Sequence, residues 1–198
     1  MRVLVLVISS DTHPVYAAHR EVWRTYMKSH PEVDAWFIAS SPLAFLPTLS
    51  SDTLTLRGIE RYGTIYAKTI SALEFMVGRR SYDYVVRTNL SSVWDFRALR
   101  SYLETAPRTR FYAGQTGVNP ETGLAFASGA GILMSHDVAR TLLANAAIGR
   151  SIRAFDDVAI AKALLASGIA PSPLPRVDFI SLTPVSYTHL RAHETEAD

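Results

Sequence analysis

Apolar positions along this chain fall into two kinds of pattern, and the two alternate. Arg2 to Ser10 is a nearly unbroken run of Val, Leu and Ile, the pattern of a strand covered on both faces of a parallel sheet. After it, His13-Pro14 places proline at a first helical position, and Val15, Ala18, Val22 and Tyr26 recur at spacings of three and four, which predicts a helix with that stripe facing the core. Asp34 to Ser41 reads as a second strand, closed by Ser40-Ser41-Pro42. Residues 42–53 read as a Pro/Ser-rich connection, followed by a short strand at Leu54 to Arg57. Tyr62, Tyr66, Ile70, Leu73 and Val77 mark a long helix over 62–79, with Lys68 on its surface, and Tyr82 to Thr88 the next central strand.

The second half repeats the alternation. Phe96, Leu99 and Leu103 share one face of a helix over 93–105, and Ser92 with Asp95 three residues on has the spacing of a capping box. Phe111 to Gly114 is a strand candidate, residues 117–123 a turn-rich excursion, and Ala127 to Gly131 leads into Ile132-Leu133-Met134 before a helix near Ser135. The last helix starts at Asp156-Asp157, carries Val158, Ala161 and Leu165 on one stripe and stops at Gly168; residues 173–182 read as extended. Strands alternating with helices predict a single α/β domain with a mainly parallel sheet flanked by helices, over residues 1–185. In such sheets ligands sit beyond the carboxyl ends of the strands, which directs attention to residues 9–13, 87–92, 114–131 and the turn into Asp156.

Composition narrows the chemistry. The 198 residues contain no Cys, which removes disulfide scaffolds, thiol catalysis and Cys-ligated metal sites. Twenty Lys and Arg against 18 Asp and Glu, scattered singly, leave no basic stripe for nucleic acid. Six consecutive apolar residues at the start are too few for a secretory h-region or for the roughly 20 needed to span a bilayer. No transmembrane segment and a cytoplasmic location, free or peripheral at the membrane, are therefore expected. From Ser186 onward the text has no amphipathic register and resembles a translated sequencing-adapter read-through, so residues 186–198 are expected to be a non-native tail on a shortened chain. His189 and His193 imitate a metal pair there, without the further ligands a site needs.

Several segments, in order, resemble family 31 glycosyltransferases, the inverting galactosyltransferase and fringe group. Arg20-Glu21-Val22-Trp23-Arg24-Thr25-Tyr26 is similar to that family's RxxIRxTW helix, Ser128 to Ser135 to its GGAGxxxS segment, and Asp156 to Ala161 to its [ED]DVxxG segment. Lys68-Thr69, Tyr82 to Arg87 and Phe111 to Gly114 fall between them in the family's order, so the resemblance covers Arg2 to about Ile169. It implies a GT-A (Rossmann-like) fold and transfer of a sugar from a nucleotide sugar, usually a UDP-sugar, to a hydroxyl of a glycan or lipid-linked glycan acceptor.

By that resemblance Asp157, with Asp156 close behind, is the base that takes the acceptor's proton, although an N-cap beside a solvated acid explains the same pair. Ser9, Ser10 and Asp11 at the end of the first strand are candidates for the nucleoside, and Arg24 is a lesser phosphate candidate; solvated positions explain Arg20 and Arg24 equally. Ser128, Gly129, Ala130 and Gly131 would let the backbone approach donor and acceptor sugars, or serve a tight turn or close packing. The family's DxD triplet, which holds a divalent Mn or Mg ion against the diphosphate, is replaced by Arg87-Thr88-Asn89, leaving Asn89 as a weak metal candidate. Three readings stay open: Arg87 neutralises the diphosphate without metal, as basic side chains do in the core-2 branching type; the chain is a noncatalytic nucleotide-sugar or glycan binder; or Arg87 is a strand-end surface residue. A dinucleotide enzyme or P-loop NTPase is disfavoured, since neither GxGxxG nor GxxxxGK[ST] occurs, and no spacing argues for a glycoside hydrolase built on Asp83 or Asp95.

Overall fold

The first strand shows how the sequence builds the core. In β1 (Val3–Ile8) every residue is buried, with Leu4, Leu6 and Ile8 entering one apolar cluster and Val3, Val5 and Val7 another on the opposite face. A strand with both faces covered sits in the middle of a sheet, and β1 is hydrogen-bonded in parallel to β2 (Asp34–Ser41) on one side and β5 (Tyr84–Asn89) on the other. The computed structural model describes residues 1–11, 13–151, 154–179 and 184–185. The expected tail, residues 186–198, lies outside them.

The full sheet has eight strands in the order β3-β4-β2-β1-β5-β7-β6-β8, with β3 Thr48–Ser50, β4 Thr53–Arg57, β6 Tyr112–Val118, β7 Ala125–Ser135 and β8 Ser172–Pro173. β4, β2, β1 and β5 run in parallel, whereas β7 is antiparallel to both β5 and β6. The turn-rich excursion after Gly117 is thus the end of a β6–β7 hairpin, and the 42–53 connection contains β3, antiparallel to β4. Helices α2 (Ile65–Val77), α4 (His136–Ala144), α5 (Ala146–Arg150) and α6 (Asp156–Leu165) supply residues to the cluster of Leu4, while α1 (Pro14–Lys28) and α3 (Phe96–Thr105) cover the other face. The result is a single α/β domain, a mostly parallel mixed sheet between two helical layers, as the alternation predicts.

Three local expectations fail, each for a physical reason. Of the expected stripe, Val15, Ala18 and Val22 are exposed, Val15 at 43% and Val22 at 61%, and only Tyr26 packs against the core, where α1 also buries Trp23 and packs Tyr16 and Met27. Aromatic area outweighs β-branched residues in choosing the buried face: Trp23 lies 6.1 Å and Tyr26 4.9 Å from the Phe96 ring. That rotation turns Arg20 and Arg24 inward, both 5.7 Å over the Phe37 ring. The cap of α3 is Asp95, which accepts from the N–H groups of Arg97 and Ala98, so the helix starts at Phe96, three residues later than expected. Tyr62 precedes α2 in a short 3-10 turn and is two-thirds exposed.

Candidate functional site

The carboxyl ends of β1 and β5 lie side by side, Ile8 opposite Asn89, and β7 runs past them in the reverse direction with Gly131 opposite Thr88. Here the β6–β7 ladder loses register. Gly114 pairs with Ile132, but Thr116 pairs with Ala127, leaving Gln115 alone opposite Ser128 to Gly131. A bulge of this size strands backbone donors and acceptors that must find other partners.

They find them on side chains from three elements. The Arg87 guanidinium donates to the Gly129 carbonyl and to the Asp156 carboxylate. Thr88 Oγ1 donates to the Ala130 carbonyl at 2.7 Å, and Asp157 Oδ2 accepts from Gly129 N–H at 3.1 Å. The other oxygen of Asp157 accepts from Val158 N–H at 2.8 Å, at the free N-terminus of α6. Tyr112 hydroxyl receives Ala127 N–H at 3.0 Å, and Arg176 donates to Ser128 Oγ at 3.0 Å. Arg87 is a buried charge, its side chain 3% exposed, paired with an Asp156 side chain that is 10% exposed. It is not a surface residue. Its Nε–H is buried and meets no acceptor among the described residues, the kind of orphan donor that water or a phosphate oxygen satisfies.

Burial raises the Asp157 pKa above the ordinary carboxylate value, and the neighbouring Asp156 charge adds to the effect; the Gly129 and Val158 N–H groups and Arg87 oppose it without cancelling it. Asp157 is therefore a stronger base than a solvated aspartate.

At the end of β1, Ser9 is fully buried, with its Oγ accepting from Arg20 and its carbonyl from Lys68 Nζ at 2.7 Å. Ser10 is half-buried, and Asp11 is exposed and paired with Arg20 at 2.8 Å. Lys68 is the clearest departure from expectation. Far from the helix surface, it is buried, donating also to both oxygens of Glu60 at 2.6 and 2.7 Å, and desolvation lowers its pKa against the pull of that carboxylate. The signal lay in α2 itself, which buries Tyr66, Thr69, Ile70, Ala72, Leu73, Met76 and Val77 and leaves to solvent only a narrow side at Ala67 and Glu74, off which Lys68 falls. Arg20, Glu60 and Lys68 are thus site-forming residues that pattern reading passes over.

Arg24 does not join this group. Its Nε donates to Asp52 at 2.6 Å and another nitrogen to Glu21, holding α1 to the turn before β4. Asn89 Oδ1 accepts from the Ser91 and Ser92 hydroxyls at 3.0 and 2.9 Å, so its amide oxygen is committed within the loop. Among the described residues no cluster of three or more His, Asp or Glu is placed to hold a metal, and the residues of the strand end, one cation and two neutral groups, do not fit a divalent ion. The glycines serve packing: a Cβ on Gly129 would meet Arg87 at 2.7 Å, and one on Gly131 would meet the Trp94 ring at 2.7 Å.

A cavity of about 840 Å³ opens on the α3 side of the bulge, walled by Trp94, Leu99 and Tyr102, by Ala130, Gly131 and Leu133 of β7, and by residues 174–178. No helix among the described residues is long and apolar enough to cross a membrane.

Neither a protein-family model nor a curated protein matches the chain. Solved structures do. One is the 2-C-methyl-D-erythritol 4-phosphate cytidylyltransferase of Thermus thermophilus, with a TM-score of 0.52 and 13% identity over 98% of each chain. At that identity the likeness is one of fold, and it identifies this chain's architecture as a Rossmann-like α/β sheet flanked by helices.

Proposed function

We propose that this chain is an inverting glycosyltransferase that moves a sugar from a UDP-sugar to an acceptor hydroxyl, with Asp157 as general base. The observation that carries the reading is the convergence of three segments chosen separately on the sequence: the β5 end, the small residues of β7 and the acidic start of α6 meet at one bulge. A cytidylyltransferase on a similar fold is consistent with a nucleotide at this sheet edge.

In the reaction, Ser10, Asp11 and Asn89 border the nucleotide, while the fully buried Ser9 and Thr88 hold the strand ends beneath it. Asp157 accepts the acceptor's hydroxyl proton while that oxygen forms a bond to the anomeric carbon from the face opposite the nucleotide. The bond from that carbon to the diphosphate oxygen breaks, and UDP departs with the electron pair. Each carboxylate oxygen has two acceptor sites, so Asp157 can hold Gly129 N–H and still receive a hydroxyl. Arg87 supplies positive charge beneath the site, with its guanidinium engaged by the Gly129 carbonyl and Asp156 and its Nε–H buried.

A second reading, a noncatalytic nucleotide-sugar or glycan binder, is favoured by one observation: Arg87 and Lys68 are already neutralised by Asp156 and Glu60. One assay separates the two. UDP-glucose, UDP-galactose and UDP-N-acetylglucosamine are supplied with manganese or with EDTA, and UDP release is measured. Release in EDTA is expected, falling about 10²–10⁴-fold in Asp157→Asn while the thermal shift produced by UDP is unchanged. Binding of UDP with no turnover of any sugar would establish the binder, and full turnover by Asp157→Asn would remove the base assignment.

A further inference from the structure

The cavity beside α3 takes no part in the chemistry described so far, and its walls are unlike the charged strand end. At about 840 Å³ it lies in the range of small-molecule pockets, about 300–1,000 Å³. Trp94 and Tyr102 give it two aromatic faces, and Leu99, Leu133, Leu174 and Val177 supply aliphatic surface. Gln115, the lone residue opposite the bulge, adds an amide at the wall. The charges present are paired, Arg176 with Asp178 at 2.8 Å and Asp95 with the N-terminus of α3, and Arg176 also donates to Ser128; Asp178 Oδ2 is left buried without a hydrogen-bond partner among the described residues, an acceptor for a hydroxyl and not for a phosphate. With Arg176 paired in this way, such a pocket offers nothing to a phosphate. It suits an uncharged ligand with both an apolar body and hydroxyl groups, because aromatic rings pack against the C–H face of a sugar while amide and backbone groups meet its hydroxyls.

Its position links it to the reaction. Ala130 and Gly131 line the cavity, and the adjacent Gly129 carries the N–H that holds Asp157, so one four-residue bulge borders both. Resting on the glycosyltransferase reading, we infer that this cavity is the acceptor site and that the acceptor is a neutral glycoside bearing an apolar aglycone. A charged or phosphate-linked acceptor does not match it.

Calorimetric titration with octyl β-D-glucoside below its micellar concentration tests this, with free glucose, octyl phosphate and UDP as comparators. Octyl glucoside is expected to bind at least tenfold more tightly than glucose or octyl phosphate. Ala98→Trp, which grows into the cavity from an exposed helix position, and Trp94→Ala should each weaken it at least tenfold, with folding checked by thermal melting. Should Trp94→Ala fail to fold, Ala98→Trp decides. Octyl phosphate binding as tightly, no glycoside binding, or binding indifferent to Ala98→Trp would overturn the inference. If glycoside binds as expected while no UDP-sugar is consumed with it present, the transferase reading fails and the glycoside site stands.

Discussion

Asp157 has two duties that pull in different directions. Its oxygens hold the N–H groups of Gly129 and Val158, which favours the charged form, while burial and the neighbouring Asp156 favour the neutral one and prevail. On the proposed mechanism Asp157 must be ionised to act as base, so kcat/KM should fall on acidification through a pKa above the usual aspartate value of about 3.9. Asp156→Asn removes the like charge and releases Arg87 from its partner, and both changes lower the Asp157 pKa. The acid limb of the pH profile should therefore move to lower pH, whatever happens to its height. A limb that stays in place would mean another group is the base. At this scale the sequence was partly legible. Asp156 and Asp157 stand out as a pair at a helix start, but Lys68 and Glu60 are eight residues apart in unrelated contexts, and only folding brings their charges together.

Among the elements, the β6–β7 bulge explains most of the local residue choices. An interruption of a ladder leaves backbone groups unpaired, and Arg87, Thr88, Asp157 and Tyr112 are the side chains that satisfy them. Glycine at 131 follows from the approach of the Trp94 ring. Gly131→Ala should cost about 1–3 kcal/mol by overpacking, measured by denaturant unfolding, whereas Gly63→Ala, where a Cβ meets nothing within 4 Å, should be nearly neutral. Equal effects would show that the ring moves aside at no cost. The bulge itself has no sequence signature beyond two glycines in four residues, since register depends on the strand across from it. Helix α1 teaches a related lesson. Periodicity located it, but of the expected stripe only Tyr26 reaches the core, and Trp23 rather than Val22 is buried beside it because Phe96 of α3 is there to receive both rings.

For the whole molecule, Lys68 is the tie that joins layers. From α2 it donates to the end of β1 and to Glu60, fixing the carboxyl edge of the sheet against the helix behind it. Lys68→Ala leaves Glu60 and the Ser9 carbonyl without their cation, and a loss of about 3–5 kcal/mol is expected in urea unfolding. A loss below about 1 kcal/mol would mean that water replaces the ammonium. The sequence by itself determined the order of the main strands and helices, though not β3 or α5, together with the covered faces of β1 and the α/β class, because hydrophobic period is a local property of the chain. The single turn-rich stretch at 117–123 did not reveal the antiparallel course of β7, since strand direction is settled by which edge remains open for pairing. Tertiary structure alone decided which face α1 buries, that Arg87 and Lys68 are interior charges with carboxylate partners, and that a bulge stands between the acidic helix start and an aromatic cavity. Each of those depends on residues far apart in the chain, and their energies exist only once burial has removed the water between them.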